Sequence, residues 1–581
     1  MFKISRLAAV YSQIQQSLNT ANGISRYSSV LTFPVRNHFT HSGEGADIPI
    51  EKKAFGQPKP LTHPHLLKSD ELTIGITAQE YKDRRTTLAN TIGDDSAAVV
   101  PGYGLRYVSN GIFYPFHQST NFLYLTGFNE PDAGCVIESR SIKQTSIESK
   151  STTSAIVNTS KNHTFTMFVQ PADRDTEIWD GPRAGIQGST THFGADDAKK
   201  VDTFESYLIA LDQSKCISTI YSDLPLTVSK PVSLIEGTHI KTLSASATHV
   251  NTDDNFSPAL VHNSMGQLPL LHSNKNTSTT IENLMPSALN VLSGWMNGGK
   301  TRYETQIKPL TNMIDRMRLK KSSAEIALMR EAGRISGRSF VKAMKFTNPG
   351  VTEHQIMAVL EFQSRIQGAS GLAYVPVVAG GQNALTLHYV QNQQLLKDGD
   401  LLLVDAGAEY GGYVSDITRT WPVNGKFSES QRNIYDIVLQ TQKHLISKCC
   451  EASNITLDEL QRETIVLFCE KLSKLFGRNI GFAEMNRLYP HHVGHWLGMD
   501  VHDTPTIRRT TKLTEGMVVT IEPGLYIPDS ASYPESYRGI GIRIEDDVVV
   551  GGPSTGNSPI ILSVEAPKEI VDIEAVMAGV V

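Results

Sequence analysis

Asp405 and Asp416 stand eleven positions apart, with Gly407, Gly411 and Gly412 between them. A turn centred between Tyr410 and Gly411 would pair position 405 with position 416 across two antiparallel strands, their Cβ atoms about 5 Å apart. Like charges that close repel strongly unless a cation lies between them. The plainer alternative is a polar hairpin tip in water. The four apolar residues Leu401-Leu-Leu-Val404 just before Asp405, a buried-strand run, argue against it.

Three segments further along strengthen the metal reading. Pro490-His-His-Val-Gly-His-Trp-Leu-Gly-Met-Asp-Val-His-Asp503 gathers His491, His492, His495 and His502 into one short stretch. A lone histidine is an ordinary core or surface residue, whereas four beside a Gly-rich turn point to ligation or proton transfer. Met517–Ile521 reads as a strand that ends in Glu522 and is stopped by Pro523-Gly524. In Gly541-Ile-Arg-Ile-Glu-Asp-Asp547, period-two alternation sets Arg543 and Glu545 on one face and Ile542 and Ile544 on the other. Each segment alone could be a simple ion pair; jointly they describe a site of carboxylates and imidazoles.

The elements that must carry these residues are marked by caps and periodicity. Ser322-Ser-Ala-Glu325, Thr352-Glu-His-Gln355 and Ser428-Glu-Ser-Gln431 have the capping-box pattern that opens a helix, and the third leads into a stripe of Ile434, Val438 and Leu445. Upstream, Thr77-Ala-Gln-Glu80 predicts another capping box, and Ala97–Val100 and Phe165–Val169 predict strands. Two stretches rich in Ser, Thr and Asn, around 140–163 and 226–282, read as surface insertions. After Met317, helices alternating with strand hairpins argue for an α+β catalytic domain.

Composition removes several function classes. With 40% hydrophobic and 19% charged residues over 581 positions, the chain has the make-up of a folded globular protein. A net charge of −5 and a pI near 6.4 give no footing for nucleic-acid binding. No apolar run reaches the roughly 18 residues that a membrane-spanning helix needs. Five cysteines, an odd number with no CxxC spacing, make neither a disulfide framework nor a zinc pattern. Residues 1–43 differ from the rest: Lys3, Arg6, Arg26 and Arg36, ten Ser or Thr, no acidic residue, and an apolar stripe of Leu7, Val10, Ile14 and Leu18. That is the make-up of a mitochondrial presequence.

Taken in order, Asp405-Ala-Gly…Asp416-Ile-Thr-Arg-Thr, His491-x-x-Gly-His495, Ile521-Glu-Pro-Gly524 and Arg543-Ile-Glu545-Asp strongly resemble the motifs of the pita-bread metallopeptidases, and within them aminopeptidase P. The first half agrees: Tyr114-Pro…Gln118-Ser-Thr-Asn-Phe-Leu-Tyr-Leu-Thr-Gly-Phe-Asn-Glu-Pro131 and Glu177-Ile-Trp-Asp-Gly-Pro-Arg183 look like that family's N-terminal domain. The resemblance covers nearly everything after about residue 70 except the insertions. With the presequence, it points to the mitochondrial branch of the family. His492 departs from the pattern, where the family more often has a small or different residue.

The resemblance implies an α/β N-terminal domain over 70–313 and a pita-bread catalytic domain over 314–581. It implies two Mn²⁺ ions per subunit held by Asp405, Asp416, His495, Glu522 and Glu545, with Asp416 and Glu545 bridging. It further implies that His388 and His502 stabilise the tetrahedral intermediate and assist proton transfer, and that His491 contacts the residue after the cleaved bond. Arg543 and Tyr526 are expected to orient Asp405. The implied activity is an aminopeptidase in the mitochondrial matrix, with a peripheral position on the inner membrane as the alternative. It would remove one N-terminal residue from imported precursors already trimmed by the main processing peptidase. Peptide or protein N-termini are its expected partners, and homo-oligomerisation is a family habit. The alternatives are a general Xaa-Pro aminopeptidase and, from another class, an inactive pita-bread module that binds peptides or histones.

Overall fold

The computed structural model describes residues 53–140, 163–214, 216–223 and 305–580. The expected presequence lies outside the described residues, as do nearly all of the two Ser/Thr/Asn-rich stretches.

The first half is built on a six-stranded mixed sheet in the order Gln306–Lys308, Thr219–Ser222, Ser96–Pro101, Gly134–Ser139, His163–Val169, Asp197–Lys200. Its central strands are continuously apolar because both faces are covered. Ala98 and Val100 pack with Ile137, Phe165 and Met167 on one side. Ala97 and Val99 pack with Val136, Phe168, Phe204 and Leu208 on the other.

The helix Ala78–Ile92 lies against this sheet and corrects one expectation. Thr77 caps it by accepting from the Glu80 N–H at 3.2 Å, but the Glu80 carboxylate does not return to Thr77. It takes a charge-assisted bond from Arg84 at 2.7 Å and one from the Ser322 hydroxyl at 2.8 Å. A guanidinium one turn away is a stronger partner than a backbone N–H. The three other expected boxes form with both halves, opening Ser323–Phe346, Glu353–Ile366 and Glu429–Ser447. A further box at Thr456 and Glu459, not anticipated, opens Leu457–Phe476.

In the second half, Val377–Gly380, Leu401–Ala406 and Ile417–Pro422 form an antiparallel sheet with Leu401–Ala406 in the middle. Val518–Ile521 pairs with Asp546–Val549, and Gly524–Tyr526 with Gly541–Arg543. Leu402, Val404, Ile417, Trp421, Ile542 and Ile544 are buried in one core with Ile434, Val438 and Phe468 from the two long helices Glu429–Ser447 and Leu457–Phe476. Each such side chain contributes about 1.5–3 kcal/mol on burial, which is what clamps the strands to the helices.

The pairing of Asp405 with Asp416 is not what forms. Asp405 lies opposite Thr418, and Tyr410 opposite Tyr413. The turn consists of Gly411 and Gly412, both at positive φ (60° and 79°), a two-residue hairpin that only glycine-like residues enter freely. It moves the register by two positions. Side chains alternate with period two, so Asp416 stays on the same face as Asp405. Gly407 makes the close approach possible: a Cβ there would fall 1.7 Å from the Ser415 carbonyl oxygen.

The two halves meet through Glu325, which accepts from the Tyr413 hydroxyl at 2.7 Å and pairs with Arg84 at 3.4 Å. No described helix is long and apolar enough to cross a membrane.

Candidate metal centre and active site

The ends of these strands deliver Asp405, Asp416, Glu522 and Glu545, and the irregular segment after Leu488 delivers His495, to one cavity of about 660 Å³. Arg543, His388, His491 and His502 line the same cavity, so every residue expected in the site converges there except Tyr526, which stands behind His491. Ligand-capable atoms of Asp416, His495 and Glu545 all lie within 4.8 Å of one another.

Each carboxylate is aimed by a specific partner. Asp405 accepts from Arg543 at 2.5 Å and from the Tyr374 hydroxyl at 2.5 Å. The same hydroxyl contacts Asp416. The Asp416 backbone N–H donates to both oxygens of Asp547, at 3.1 and 3.2 Å, so the chain bearing Asp416 is tied to the strand bearing Glu545. Glu545 accepts from the Thr418 hydroxyl at 2.7 Å, and Thr418 in turn accepts from Arg543 Nε at 3.0 Å.

His495 is positioned by backbone on both sides. Its N–H donates to Thr520 Oγ1 at 3.2 Å, and Thr520 N–H returns to its carbonyl at 3.0 Å. This approach needs Gly494, where a Cβ would sit 1.9 Å from the Thr520 carbonyl oxygen. His495 Nδ1 donates to the Trp496 carbonyl at 3.1 Å, which turns Nε2 toward Asp416 Oδ2 at 3.4 Å and Glu522 Oε1 at 3.8 Å.

The electrostatics tell what the cluster lacks. Burial pushes Glu545 well above the usual carboxylate range, and Asp416, Glu522 and Asp405 push it further. Glu522 is pushed up to about 7, first by burial, with His495 and Arg543 pulling the other way. Burial also raises Asp405, against the pull of Arg543 and with Asp416 adding to the rise. Asp416 alone is lowered: burial opposes this, but the hydrogen bond and charge of His495 outweigh it. His495 rises to about 9 despite its burial, held by Asp416 and Glu522. Four carboxylates around one guanidinium and one imidazole are short of positive charge. An oxygen-rich donor set of this kind fits divalent cations of the hard type.

The remaining histidines differ in kind. His388 and His502 are exposed to the cavity, and the His502 ring packs edge-on against His495 at 4.5 Å between centroids. Burial lowers His502, and the charges of His495 and Arg509 add to the effect. His491 is held at about 3 by burial first and then by Arg543. It belongs to a directed chain: Arg543 donates to the Tyr526 oxygen at 2.9 Å, Tyr526 donates to His491 Nε2 at 2.9 Å, and His491 Nδ1 donates to the His492 carbonyl at 2.9 Å. Both its ring nitrogens are thus engaged, and it offers the cavity ring surface. Tyr526 touches Arg543 and not Asp405, so any influence on that carboxylate runs through the guanidinium. His492 forms cavity wall, with Nδ1 3.0 Å from the Gly494 carbonyl and Nε2 3.2 Å from Asp458.

Tyr374, Thr418 and Asp547 were not singled out from sequence. Thr418 and Asp547 lie inside or beside quoted motifs, and their positions two residues from Asp416 and Glu545 on strands could have marked them. Tyr374 sits 31 positions from Asp405, on a different segment, with no local pattern to flag it.

Two family profiles match the chain: "Aminopeptidase P, N-terminal domain" over residues 81–221 and "Metallopeptidase family M24" over residues 327–551. Xaa-Pro aminopeptidase 3 of Homo sapiens is 37% identical over 541 residues, covering 91% of each chain. Intermediate cleaving peptidase 55, mitochondrial, of Arabidopsis thaliana is 33% identical over 527 residues, covering 90% of this chain and 87% of that one. The crystal structure of Icp55 from Saccharomyces cerevisiae superposes with a TM-score of 0.68 at 31% identity, covering 88% of this chain and 100% of that one. With both halves matched over that length, the chain belongs to metallopeptidase family M24, in its aminopeptidase P branch, and is a metalloaminopeptidase acting on peptide N-termini through a divalent metal.

Proposed function

We propose that this enzyme is a mitochondrial aminopeptidase that removes a single N-terminal residue from precursor intermediates left by the main processing peptidase. The convergence of Asp405, Asp416, His495, Glu522 and Glu545 on one buried, cation-deficient cluster carries the catalytic part of the reading. The likeness to an intermediate cleaving peptidase named as mitochondrial supports the substrate and the location. The basic, acid-free residues 1–43 support a transit peptide and delivery to the matrix. Residues 70–313 and 314–581 are the proposed domains: the strand Gln306–Lys308 still belongs to the first sheet, and the proposed boundary falls in the first turn of the helix Thr311–Leu319 that comes next.

The five cluster residues would hold two Mn²⁺ ions, Asp416 and Glu545 serving both. When bound, such ions lower the pKa of a water and polarise the scissile carbonyl. The chain's own residues set the geometry. Arg543 and Tyr374 fix Asp405, Thr418 fixes Glu545, and the Trp496 carbonyl fixes the His495 tautomer. The acidic end of the cavity draws in the free α-amine and so limits cleavage to the first peptide bond. His388 and His502, open to the cavity, would stabilise the tetrahedral oxygen and pass a proton to the leaving amine. His491 shapes the wall against the residue after the cleaved bond.

Self-association is part of the proposal. The hairpin Tyr107–Ser109 and Ile112–Phe113 exposes Tyr107, Val108, Ile112 and Phe113 by 45–60%, and Trp179 is 86% exposed. Four large apolar side chains exposed on one short hairpin are surface of the kind a protein interface uses.

A general Xaa-Pro aminopeptidase is the second reading, favoured by the 37% identity to Xaa-Pro aminopeptidase 3. Comparing mitochondrial N-termini with and without the enzyme decides between them. One-residue-longer N-termini accumulating in its absence, without proline second, support intermediate processing. Cleavage confined to Xaa-Pro peptides in a purified panel supports the second reading and removes the first.

A further inference from the structure

The cavity also carries positive charge of its own. Arg508 and Arg509 line it together with Ile507 and His492. Both arginines are exposed, and neither guanidinium has an ion-pair partner among the described residues. This is not a loose surface loop. The segment is pinned by the Ile507 carbonyl accepting from Trp496 Nε1 at 3.2 Å, by Thr506 donating twice to Asp315 at 2.7 and 3.0 Å, and by Lys512 pairing with Glu459 at 3.0 Å. A pinned backbone therefore presents two cations to a cavity that also holds the four cluster carboxylates, while Asp503, a further lining carboxylate, is paired with Arg318 and Lys321.

From these two unpaired cations in the cavity wall we infer that Arg508 and Arg509 form a subsite for a carboxylate on the substrate downstream of the cleaved bond. The inference rests on the aminopeptidase reading and adds a substrate preference to it. A peptide entering with its α-amine toward the acidic cluster runs its following residues past the arginines. A negative charge there is met by two guanidiniums, and a positive charge is repelled. Two sources carry the same chemistry: an acidic side chain within the first few residues after the scissile bond, or the terminal carboxylate of a short peptide. Long-chain substrates offer only the first.

The test uses the full Mn²⁺-loaded enzyme and peptides sharing their first two residues, with Glu, Gln or Lys at the third, fourth or fifth position, each as free acid and as C-terminal amide. The expected result is kcat/KM higher for Glu than for Lys by on the order of tenfold, the size of one charge-assisted contact, carried in KM and reduced by added salt. Arg508→Gln/Arg509→Gln should collapse that ratio toward one, and Arg508→Glu/Arg509→Glu should invert it. A preference for Glu that survives amidation assigns the subsite to side chains. A preference seen only in free acids of short peptides assigns it to the chain terminus. Equal kcat/KM for Glu, Gln and Lys peptides of both kinds in the unaltered enzyme overturns the inference, as does a Glu preference unchanged in the double Gln variant. Failure to cut even the Gln peptides would strike instead at the proposed function.

Discussion

One hydroxyl, that of Tyr374, bridges Asp405 and Asp416, lying 2.5 Å from an oxygen of the first and in hydrogen-bond contact with an oxygen of the second. A hydroxyl has a single proton to give, so it satisfies both carboxylates only when one of them carries a proton itself. Burial, which raises Asp405, favours that state. Tyr374 thereby fixes the spacing of the two carboxyl groups by sharing one hydroxyl between them.

Replacing Tyr374 with Phe removes both contacts and keeps the ring. Mn²⁺ affinity, followed by calorimetric titration of the metal-free protein, should weaken by about 10- to 100-fold, the usual consequence of losing a group that orients a ligand. The circular dichroism spectrum should not change. Affinity and turnover equal to the parent's would remove Tyr374 from the site's design.

Removing a carboxylate from the cluster should separate stability from activity. Asp416→Ala and Glu545→Ala should each abolish turnover, because each group is assigned to both ions. Glu545→Gln should raise the thermal midpoint of the metal-free protein near neutral pH, since folding must place a proton on Glu545, which burial and the nearby Asp416, Glu522 and Asp405 keep from ionising, and the amide needs none. It should also lose the added stability that Mn²⁺ gives the parent, which amounts to about 2.7 kcal/mol at a hundred times the Kd. Scanning calorimetry with and without Mn²⁺ reads both effects, and a lower metal-free midpoint would contradict the electrostatic account.

Gly494→Ala tests the backbone that carries His495. The added methyl would meet the Thr520 carbonyl oxygen at 1.9 Å, so the chain must shift and take the imidazole with it. A destabilisation of about 1–3 kcal/mol in denaturant unfolding is expected, together with weaker Mn²⁺ binding. Unaltered stability would mean that the strand and the His495 segment are free to separate.

Deleting residues 1–43 should block import into mitochondria and leave the purified enzyme's kcat/KM unchanged, because the acid-free composition ends at Glu44 and every site residue lies far beyond it. Fluorescence localisation of the truncated and full chains checks it. Undisturbed mitochondrial localisation of the truncated chain would place the targeting information elsewhere.

What the sequence determined by itself was local. Capping residues three apart, apolar runs and period-two alternation act over one turn or one strand, so the helices after Ser322, Thr352 and Ser428 and the facing of Arg543 and Glu545 could be read directly. The ligand-type residues were visible too: Asp405 and Glu522 end short apolar runs, Asp416 stands a hairpin's length from Asp405, and His495 falls in a histidine-rich stretch. Tertiary structure decided the rest. The register of the Asp405 hairpin moved by two because backbone torsion at Gly411 and Gly412, not the midpoint of the spacing, sets where a hairpin turns. The Glu80 carboxylate left its cap because folding brought Arg84 and Ser322 within its reach. Tyr374, Asp547 and the arginine rim owe their places to contacts between segments far apart in the chain. Which of those segments touch depends on how sheets and helices pack against one another, and no short-range pattern records that.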